Sequence, residues 1–365
     1  MHEKICQMIM VGFKGTRLTK WQKKHFQEYP YAGVILYERG SGKAQPRNIS
    51  SPKQVRRLCA QLRKAFTVSP WIAVDQEGGI VQRFQRKNGF KNEGLSHYML
   101  GRMNDPDRTE RYSRSLAKEL RELGININFA PVVDVAVNPK NPIIARYGRS
   151  FSSNPEKVVK HAIAFINGHH SVGVLTTLKH FPGHGSSKGD THKQFVDVTK
   201  TFISTKELYP FRELIEQRYV PCVMTAHIYN ENFDKVFPAT LSHQTLNILR
   251  NDLKFDGVII TDDLMMNAIW HLQYQDRQIT IKEIVYYAIK AGNDVLLFAN
   301  SSEYDPYIGA KVVQAIKELI KEGKLSEERI DESYQRIMHL KKGYSFNSFL
   351  AVPEITIIKE SELDQ

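Results

Sequence analysis

Five short apolar runs in the chain each end in side chains that can transfer protons or attack an electrophile. These side chains are Asp75 with Glu77, Asp134, Lys179 with His180, His227, and Asp262 with Asp263. Any one of them could be a salt bridge or a satisfied buried polar group. Five together are hard to explain as structure alone, because burying so much charge without a use is costly. The pattern therefore indicates a functional site.

A sixth segment pairs a carboxylate with a histidine. Asp190 and His192 follow a stretch of small and polar residues at 185–189, which is typical of a mobile loop. A histidine near its ordinary pKa can donate and then accept a proton, and a carboxylate can orient and tune it. Residues two positions apart can approach each other in a turn but not on one helix face. The alternative is an ordinary exposed histidine on a loop.

Short runs rich in Val, Ile and Leu alternate along the chain with longer helical patterns. Strands are predicted at 33–37, 71–75, 125–130, 174–179, 221–226, 257–261 and 294–298, with 7–13 as an irregular first strand. Helices are predicted at 52–65, 107–123, 155–171, 241–253, 281–291 and 326–342. Ser51 followed by Pro52 is a typical helix start. Continuously apolar strands separated by helices indicate a parallel sheet that is covered on both faces.

This order of elements predicts an α/β fold, namely a single-domain (β/α)8 barrel of the TIM type over residues 1–345. Residues 346–365 are predicted to form a C-terminal tail that could pack back on the barrel, and 40–46 a surface loop. An open sheet fits less well, because no glycine-rich nucleotide fingerprint follows the first strand. Functional residues of such barrels lie at the carboxyl ends of the strands, so the side chains named above are expected on one rim.

The composition argues against several other classes of protein. Of the 365 residues, 41% are hydrophobic and 25% are charged, as in an ordinary globular protein. The net charge of +12 admits an anionic partner, but the basic residues are scattered without a nucleic-acid-binding motif, so no nucleic acid is expected. Cys6, Cys59 and Cys222 form no metal or disulfide pattern. The N-terminal stretch predicts neither a signal peptide nor a membrane span, so a cytoplasmic location is expected.

Four motifs resemble those of the family 3 glycoside hydrolases. They are DQEGGIVQR at 75–83, KHFPGHG at 179–185, DTH at 190–192 and ITDDL at 260–264. Within that family they are similar to the β-N-acetylhexosaminidase branch, which acts on peptidoglycan fragments. The segments 141–151, 224–227 and 238–242 are similar to the same branch, and the resemblance covers residues 5–342.

The resemblance implies a retaining exo-β-N-acetylglucosaminidase that binds a carbohydrate and needs neither a cofactor nor a metal ion. It implies a monomer or a weak oligomer. Retention requires a nucleophilic carboxylate below the anomeric carbon and a proton donor above it. Asp262 matches the nucleophile of the family, with Asp263 as its local rival. Asp190 and His192 match the acid/base pair of this branch.

The resemblance also implies which residues bind the sugar. They are Asp75, Arg83, Arg149, Lys179 and His180. Arg146 is a rival for the role of Arg149. We expect His184 and His227 to shape the pocket rather than to transfer protons, and Glu77 to support the turn after its strand.

The chain departs from the family pattern at several points, among them an insertion at 40–46 and the variant Arg146-Tyr147-Gly148. Ile80 stands where the family usually has Arg, Thr191 where Ser is commoner, and KQFV at 193–196 where Leu-Pro often follows. These differences leave the leaving group open. The alternatives are a β-glucosidase or a phosphorylase of the same family, or a sugar-binding protein on an inactive barrel. The Asp190–His192 pair argues against the glucosidase, which usually takes its acid from elsewhere.

Overall fold

A computed structural model describes residues 1–39, 47–92, 94–301 and 303–343. The predicted surface loop at 40–46 and the predicted C-terminal tail at 346–365 lie outside the described residues.

Eight parallel strands form one sheet. They are β1 (Ile9–Gly12), β2 (Gly33–Ile35), β3 (Trp71–Val74), β4 (Ile127–Asn128), β5 (Leu175–Phe181), β6 (Cys222–Thr225), β7 (Val258–Ile260) and β8 (Leu296–Phe298). Their order in space is β8-β1-β2-β3-β4-β5-β6-β7. A parallel bridge between Ile260 and Val295 joins β7 to β8 and closes the sheet. This confirms the predicted (β/α)8 barrel of the TIM type.

Thirteen helices occur among the described residues. They are α1 (His2–Gln7), α2 (Lys20–Glu28), α3 (Pro52–Ala65), α4 (His97–Met103), α5 (Pro106–Leu123), α6 (Pro155–His170), α7 (Ser204–Glu207), α8 (Tyr209–Glu216), α9 (His243–Asn247), α10 (Asn267–Trp270), α11 (Ile281–Ala291), α12 (Ile308–Lys321) and α13 (Glu327–Gly343). None of them is long and apolar enough to cross a lipid bilayer.

Capping residues explain where several helices begin. Ser51 accepts a hydrogen bond from the N–H of Gln54 and starts α3 at the predicted position. The predicted helix at 241–253 begins later, because Ser242 is extended and caps α9 by accepting from the N–H of Thr245. That helix continues as a π-helical turn, Ile248–Asp252. Its first predicted residue, Leu241, instead ends a short 3-10 turn, Ala239–Leu241.

The strand β4 is much shorter than the predicted strand at 125–130. The side chain of Asn126 accounts for part of the difference, because its Oδ1 accepts the N–H of Ile72 at 2.7 Å and its Nδ2 donates to Pro70 O at 3.0 Å. The side chain thus replaces one backbone acceptor at the start of this strand, while the backbone of Asn126 still donates to Ile72 O at 3.3 Å and accepts the N–H of Leu175 at 2.9 Å. The short β4 leads directly into the segment that carries Asp134, so this segment reaches the carboxyl rim of the barrel.

Candidate active site

Two carboxylates and two cations form a network at the carboxyl ends of β3 and β5. Lys179 Nζ donates to Asp75 Oδ1 at 2.9 Å and lies 2.7 Å from Glu77 Oε1. Arg149 donates to Glu77 through both Nε and Nη2, at 2.8 Å each. Glu77, Lys179 and Arg149 are buried. The opposite charges therefore compensate each other away from water. The bidentate hydrogen bond between Arg149 and Glu77 also fixes the relative orientation of the two side chains.

The turn after β3 holds Glu77 in this network. Val81 O accepts the N–H groups of Glu77 and Gly78, at 3.0 and 3.2 Å. Gly78 has φ +96°, and a Cβ on it would lie 2.0 Å from Leu95 O, so the turn requires glycine. Glu77 therefore does more than support the turn, because its carboxylate fixes two cations of the site.

Arg83 reaches the network from the loop that follows this turn. Its Nη2 donates to Asp75 Oδ2 at 3.1 Å, and the ring of Tyr37 lies 4.9 Å from its guanidinium. Gln76 fixes the loop, since its Oε1 accepts the N–H groups of Arg83 and Phe84 at 2.7 and 3.0 Å. Among the described residues the Nε of Arg83 has no hydrogen-bond partner. This Nε is thus a buried donor whose hydrogen-bonding capacity is unused.

Arg149 comes from the loop that follows β4. Its Nη1 donates to Ile143 O at 3.1 Å, and its Nη2 lies 3.3 Å from His180 Nε2. Arg146, the rival in the sequence, is exposed. Arg149 rather than Arg146 therefore contributes its guanidinium to the network.

The register between β5 and β6 shifts between Leu178 and Phe181, where Lys179 and His180 lie. An irregularity of this kind changes the direction in which side chains point. Lys179 and His180 consequently enter the same site although they are neighbours in one strand.

Asp134 was expected on the rim without an assigned role, and its buried carboxylate orients His180. Asp134 Oδ2 lies 2.7 Å from His180 Nδ1, and Oδ1 accepts the backbone N–H groups of His180 and His184 at 3.2 and 2.8 Å. With the proton on Nδ1, Nε2 of His180 can accept a hydrogen bond from Arg149. The tautomer of His180 therefore follows from its two neighbours.

The network holds its members in their ionised forms. Burial would raise the pKa of Asp75, but Lys179 and Arg83 lower it below its ordinary value. Burial would also raise the pKa of Glu77, but Arg149 and Lys179 hold it well below its ordinary value. Burial would lower the pKa of Lys179, but Asp75 and Glu77 raise it. Such fixed charges suit the binding of a polar ligand better than the transfer of a proton.

Asp262 follows β7 on the same rim and is partly exposed. Among the described residues its carboxylate accepts one hydrogen bond, from the N–H of Asp263 at 2.8 Å, and has no lysine or arginine partner. Burial would raise its pKa, but His227, His180 and His192 lower it to about 2. The carboxylate is therefore ionised and unpaired, which is what a nucleophile requires.

Asp263 differs from Asp262 in burial, in hydrogen bonding and in the direction of its pKa shift. It is buried, and its Oδ1 accepts the N–H groups of Met265 and Ala299 at 3.1 and 2.9 Å, which ties the loop after β7 to the end of β8. Burial raises its pKa to about 6. The buried ring of His227 contacts the backbone oxygen of Asp263 at 2.9 Å and Thr240 Oγ1 at 2.8 Å. Both residues therefore stabilise the wall of the site.

Asp190 and His192 contact each other on the loop that follows β5. Asp190 Oδ1 lies 2.9 Å from His192 Nδ1 and accepts the backbone N–H of His192 at 2.9 Å. The side chain of His192 is 61% exposed. Burial would lower its pKa, but the hydrogen bond with Asp190 and the charge of Asp262 raise it. Because Asp190 takes Nδ1, the nitrogen that can meet a ligand is Nε2.

Hydrogen bonds fix the loop on both sides of this pair. Asn141 Nδ2 donates to His184 O at 2.7 Å and to Ser187 Oγ at 3.0 Å. On the other side, the N–H of Ala268 donates to Thr191 O at 3.2 Å. The buried His184 lies 2.8 Å from Ser187 Oγ through Nδ1, so it belongs to the base of the loop. The loop is therefore anchored to the segments after β4 and β7.

The predicted site residues all lie at the carboxyl end of the barrel. They are Asp75 and Arg83 after β3, Arg149 after β4, Lys179 and His180 at the end of β5, Asp190 and His192 in the next loop, and Asp262 after β7. Within the described part of the chain no group of three or more His, Cys, Asp or Glu side chains could hold a metal ion. Chemically, the arrangement combines fixed charges, an unpaired carboxylate and an exposed histidine, which suits acid-assisted nucleophilic displacement.

Comparison with known proteins agrees with this chemistry. Residues 1–340 match the glycosyl hydrolase family 3 N terminal domain. The chain is 33% identical over 343 residues to beta-hexosaminidase A of Pseudoalteromonas piscicida, an alignment that covers 86% of this chain and 53% of that protein. The chain thus spans about half the length of that relative. It is 31% identical over 347 residues to a beta-hexosaminidase of Actinobacillus succinogenes, covering 93% of this chain and 91% of the relative.

Solved structures give the same result. A glycoside hydrolase family 3 beta-N-acetylglucosaminidase from Paenibacillus sp. matches with a TM-score of 0.85 and 32% identity, covering 99% of this chain and 66% of that one. A beta-N-acetylhexosaminidase from Beutenbergia cavernae matches with a TM-score of 0.81 and 28% identity, covering 93% and 98%. The chain therefore belongs to glycosyl hydrolase family 3, as its motifs predicted.

Proposed function

We propose that this protein is a retaining exo-β-N-acetylglucosaminidase that releases terminal β-linked N-acetylglucosamine, with Asp262 as nucleophile and His192 as acid/base. The observation that carries the proposal is the unpaired, ionised carboxylate of Asp262 within electrostatic range of the exposed imidazole of His192. The electrostatic effect of each group on the pKa of the other supports their action on one ligand.

In the first step, an Asp262 oxygen attacks the anomeric carbon while His192 Nε2 gives its proton to the departing oxygen. The bond from the anomeric carbon to that oxygen breaks, and a glycosyl–aspartate ester forms. In the second step, the same nitrogen takes a proton from water, which attacks the anomeric carbon and releases Asp262. Asp190 holds Nδ1 and stabilises the imidazolium, so one nitrogen serves as acid and then as base.

The charged network is proposed to bind the sugar. Asp75 and Lys179 can accept from and donate to neighbouring hydroxyl groups, and the Nε of Arg83 is a donor without a partner among the described residues. Arg149 and His180 extend the same set of polar groups toward Asp262. A site built from paired polar groups discriminates strongly against ligands that lack the matching hydroxyl, because its own groups are then left unsatisfied.

Peptidoglycan fragments are the proposed substrate class. Their muramic acid and stem peptides carry carboxylates, and the loops next to the acid/base pair carry the exposed cations Arg146, Lys188 and Lys193. These cations would attract an anionic leaving group in a salt-dependent way. The positive charge of these loops therefore supports an acidic leaving group.

The decisive experiment compares aryl β-glycosides of N-acetylglucosamine and glucose, with and without phosphate, and identifies the products. The proposal expects turnover of the N-acetylglucosaminide, release of free sugar with retained configuration, and labelling of Asp262 by a fluoroglycoside that traps the ester. Preferential turnover of the glucoside, a glycosyl phosphate product or labelling of Asp263 would each contradict a named part of it.

A second comparison tests the leaving group. The enzyme should hydrolyse N-acetylglucosaminyl-muramoyl peptides with a higher kcat/KM than neutral N-acetylglucosamine disaccharides at low salt, and the difference should shrink as salt rises. Replacing Lys188 and Lys193 by Gln should reduce the difference without changing turnover of the neutral disaccharide. An equal kcat/KM for the two substrates at every salt concentration would rule out recognition of the acidic leaving group.

A further inference from the structure

A cleft of about 480 Å³ lies on the outer side of the barrel, between α5 and the segment that precedes α4. Cavities that bind small ligands have volumes of about 300–1,000 Å³, so this cleft has the size of a ligand site. None of its described lining residues belongs to the proposed active site. Its inner wall includes Leu95 and Tyr112, which contact the back of the turn at Gly78.

The cleft is strongly basic. Among the described residues, five cations and two carboxylates line it; the cations are Arg86, Lys91, Arg108, Arg111 and Lys118. Arg108, Arg111, Ser115 and Lys118 are spaced by three or four residues along α5 and therefore share one face of the helix. From Arg108 to Lys118 this face is about 15 Å long at 1.5 Å per residue. Like charges at this spacing repel each other, so an anion between the walls would relieve the repulsion.

The two carboxylates do not neutralise this charge. Glu119 is buried, and its oxygens accept the backbone N–H groups of Lys91 and Asn92 at 2.6 and 3.1 Å. Glu122 lies 4.0 Å from Lys91 at the edge of the cleft. Among the residues that the structure describes, Arg86, Arg108 and Lys118 have no carboxylate within ion-pair distance. Three of the five cations therefore remain uncompensated.

An unpartnered amide points independently to a ligand. Asn92 lines the cleft and is only 9% exposed. Its Oδ1 accepts from the N–H of Gly94 and from Tyr112 Oη, at 2.8 and 3.0 Å, but its Nδ2 has no partner within the described chain. A buried donor without an acceptor is costly, and an acceptor from a ligand would remove that cost. Arg86 Nε donates to Asn92 O at 3.0 Å, which holds a cation beside this amide.

We propose that this cleft is a second binding site, for a small organic anion that carries two or more phosphate or carboxylate groups. Arg86, Arg108 and Lys118 would pair with the anionic groups, and Asn92 would donate its amide. The site binds its ligand whether or not the chain has the catalytic activity proposed above, because the two sites share none of the residues that the structure describes. A solvated basic face, the simpler alternative, explains neither the concave shape nor the unpartnered amide.

Calorimetry at constant ionic strength tests the proposal with two probes, inorganic pyrophosphate for phosphate groups and citrate for carboxylates. The variant Arg108→Gln/Lys118→Gln removes two cations from the cleft. Lys53→Gln/Arg57→Gln is the matched control, because it removes an exposed Lys and an exposed Arg from α3, outside the cleft. A third variant, Ser115→Trp, fills the cleft and leaves its charges in place. Circular dichroism and the Tm verify that each variant is folded.

The wild type and the α3 control should bind at least one probe saturably at one site per chain. The cleft variant should bind it about tenfold more weakly or worse, as expected for the loss of charged hydrogen bonds, and Ser115→Trp should abolish binding. Binding of pyrophosphate alone would identify phosphate as the ligand group, and binding of citrate alone would identify carboxylate. Absence of saturable binding, or equal binding by the cleft variant and the α3 control, would overturn the proposal.

Discussion

The two ends of the barrel both hold carboxylates, but these carboxylates differ in how many partners they have. At the amino end Asp294, just before β8, is fully buried and accepts from Ser333 Oγ at 2.8 Å and from the N–H of Ile259 at 2.9 Å. It also binds Arg250 and Arg336. At the carboxyl end Asp262 has one backbone hydrogen bond and no lysine or arginine partner in the described chain.

Another charged side chain at the amino end also has all of its hydrogen-bonding capacity occupied. Lys341 of α13 donates to Gln7 Oε1, Ala32 O and Ser69 O, at 2.8, 2.8 and 2.9 Å, and lies over the ring of Trp71. All three protons of this ammonium group therefore have acceptors. A helix from the end of the described chain is thereby joined to the first strands of the barrel.

The comparison teaches that buried charge alone does not identify an active site. Paired charge with every oxygen occupied stabilises the fold, as Asp294 does. An ionised carboxylate whose oxygens have few partners is free to react with a ligand, as at Asp262. The network of Asp75, Glu77 and Lys179 lies between these extremes, because its charges are paired while part of it faces the site.

The largest effect is expected for Asp262→Asn. Turnover should fall by about 10⁴-fold or more, because the amide cannot form the glycosyl ester and the general acid has nothing to assist. The free energy of unfolding should stay within about 1 kcal/mol of the wild type, since the amide oxygen can still accept the N–H of Asp263. Steady-state kinetics and urea denaturation measure the two quantities. Asp263→Asn is the control, and a loss of activity confined to that variant would reverse the assignment.

At the amino end of the barrel a substitution is expected to lower stability and to leave activity nearly unchanged. Asp294→Asn should lower the free energy of unfolding by about 3–5 kcal/mol, because it leaves the guanidinium groups of Arg250 and Arg336 without their partner. Whatever fraction folds should keep a nearly wild-type kcat/KM per active site. Ser333→Ala removes one hydrogen bond to Asp294 and should cost about 1 kcal/mol in the same assay. A stable but inactive Asp294→Asn protein would contradict the contrast between the two ends.

Much of the fold could be predicted from the sequence because the barrel repeats one pattern. Apolar runs followed by helical periodicity place seven strands and the irregular β1, and caps such as Ser51 place helix starts. The residues at which the strands and helices begin and end were harder to predict. At the start of β4 the side chain of Asn126 takes the N–H of Ile72 from the ladder, and no local pattern distinguishes that asparagine from others.

The prediction of the site named residues that lie together in a motif. It missed contacts between residues that are far apart in the chain. Asp134 orients His180 across 46 positions of the chain, and Glu77 pairs with Arg149 across 72. A single aspartate after an apolar run has the same local pattern whether it caps a loop or orients a histidine. Such pairings depend on strand order and register, and these become known only once the barrel is closed.

A smaller and more selective effect is expected for His192→Ala. Alkyl glycosides and disaccharides, whose leaving groups need a proton, should lose about 10²–10⁴-fold in kcat/KM, whereas aryl glycosides with acidic phenols should lose far less. Stability should change little, because the side chain is 61% exposed. Kinetics over a series of leaving groups give the slope against leaving-group pKa, which should become steeper. An equal loss for every member of the series would remove His192 from the role of acid and leave Glu77 or His184 to be tested.

The smallest effect is expected for Asp190→Asn, and it concerns pH. The proton donor must carry its proton, so kcat/KM should fall as pH rises through the pKa of His192, which Asp190 and Asp262 raise above its ordinary value. Removing the carboxylate of Asp190 removes part of that stabilisation of the imidazolium, so this alkaline limb should move to lower pH. The rate on the acid side should fall only about tenfold, since Asn can still accept the N–H groups of His192. The double variant Asp190→Asn/His192→Ala should be no worse than His192→Ala alone, because the two residues act as one unit. An alkaline limb that stays in place, or additive losses in the double variant, would show that Asp190 only shapes the loop.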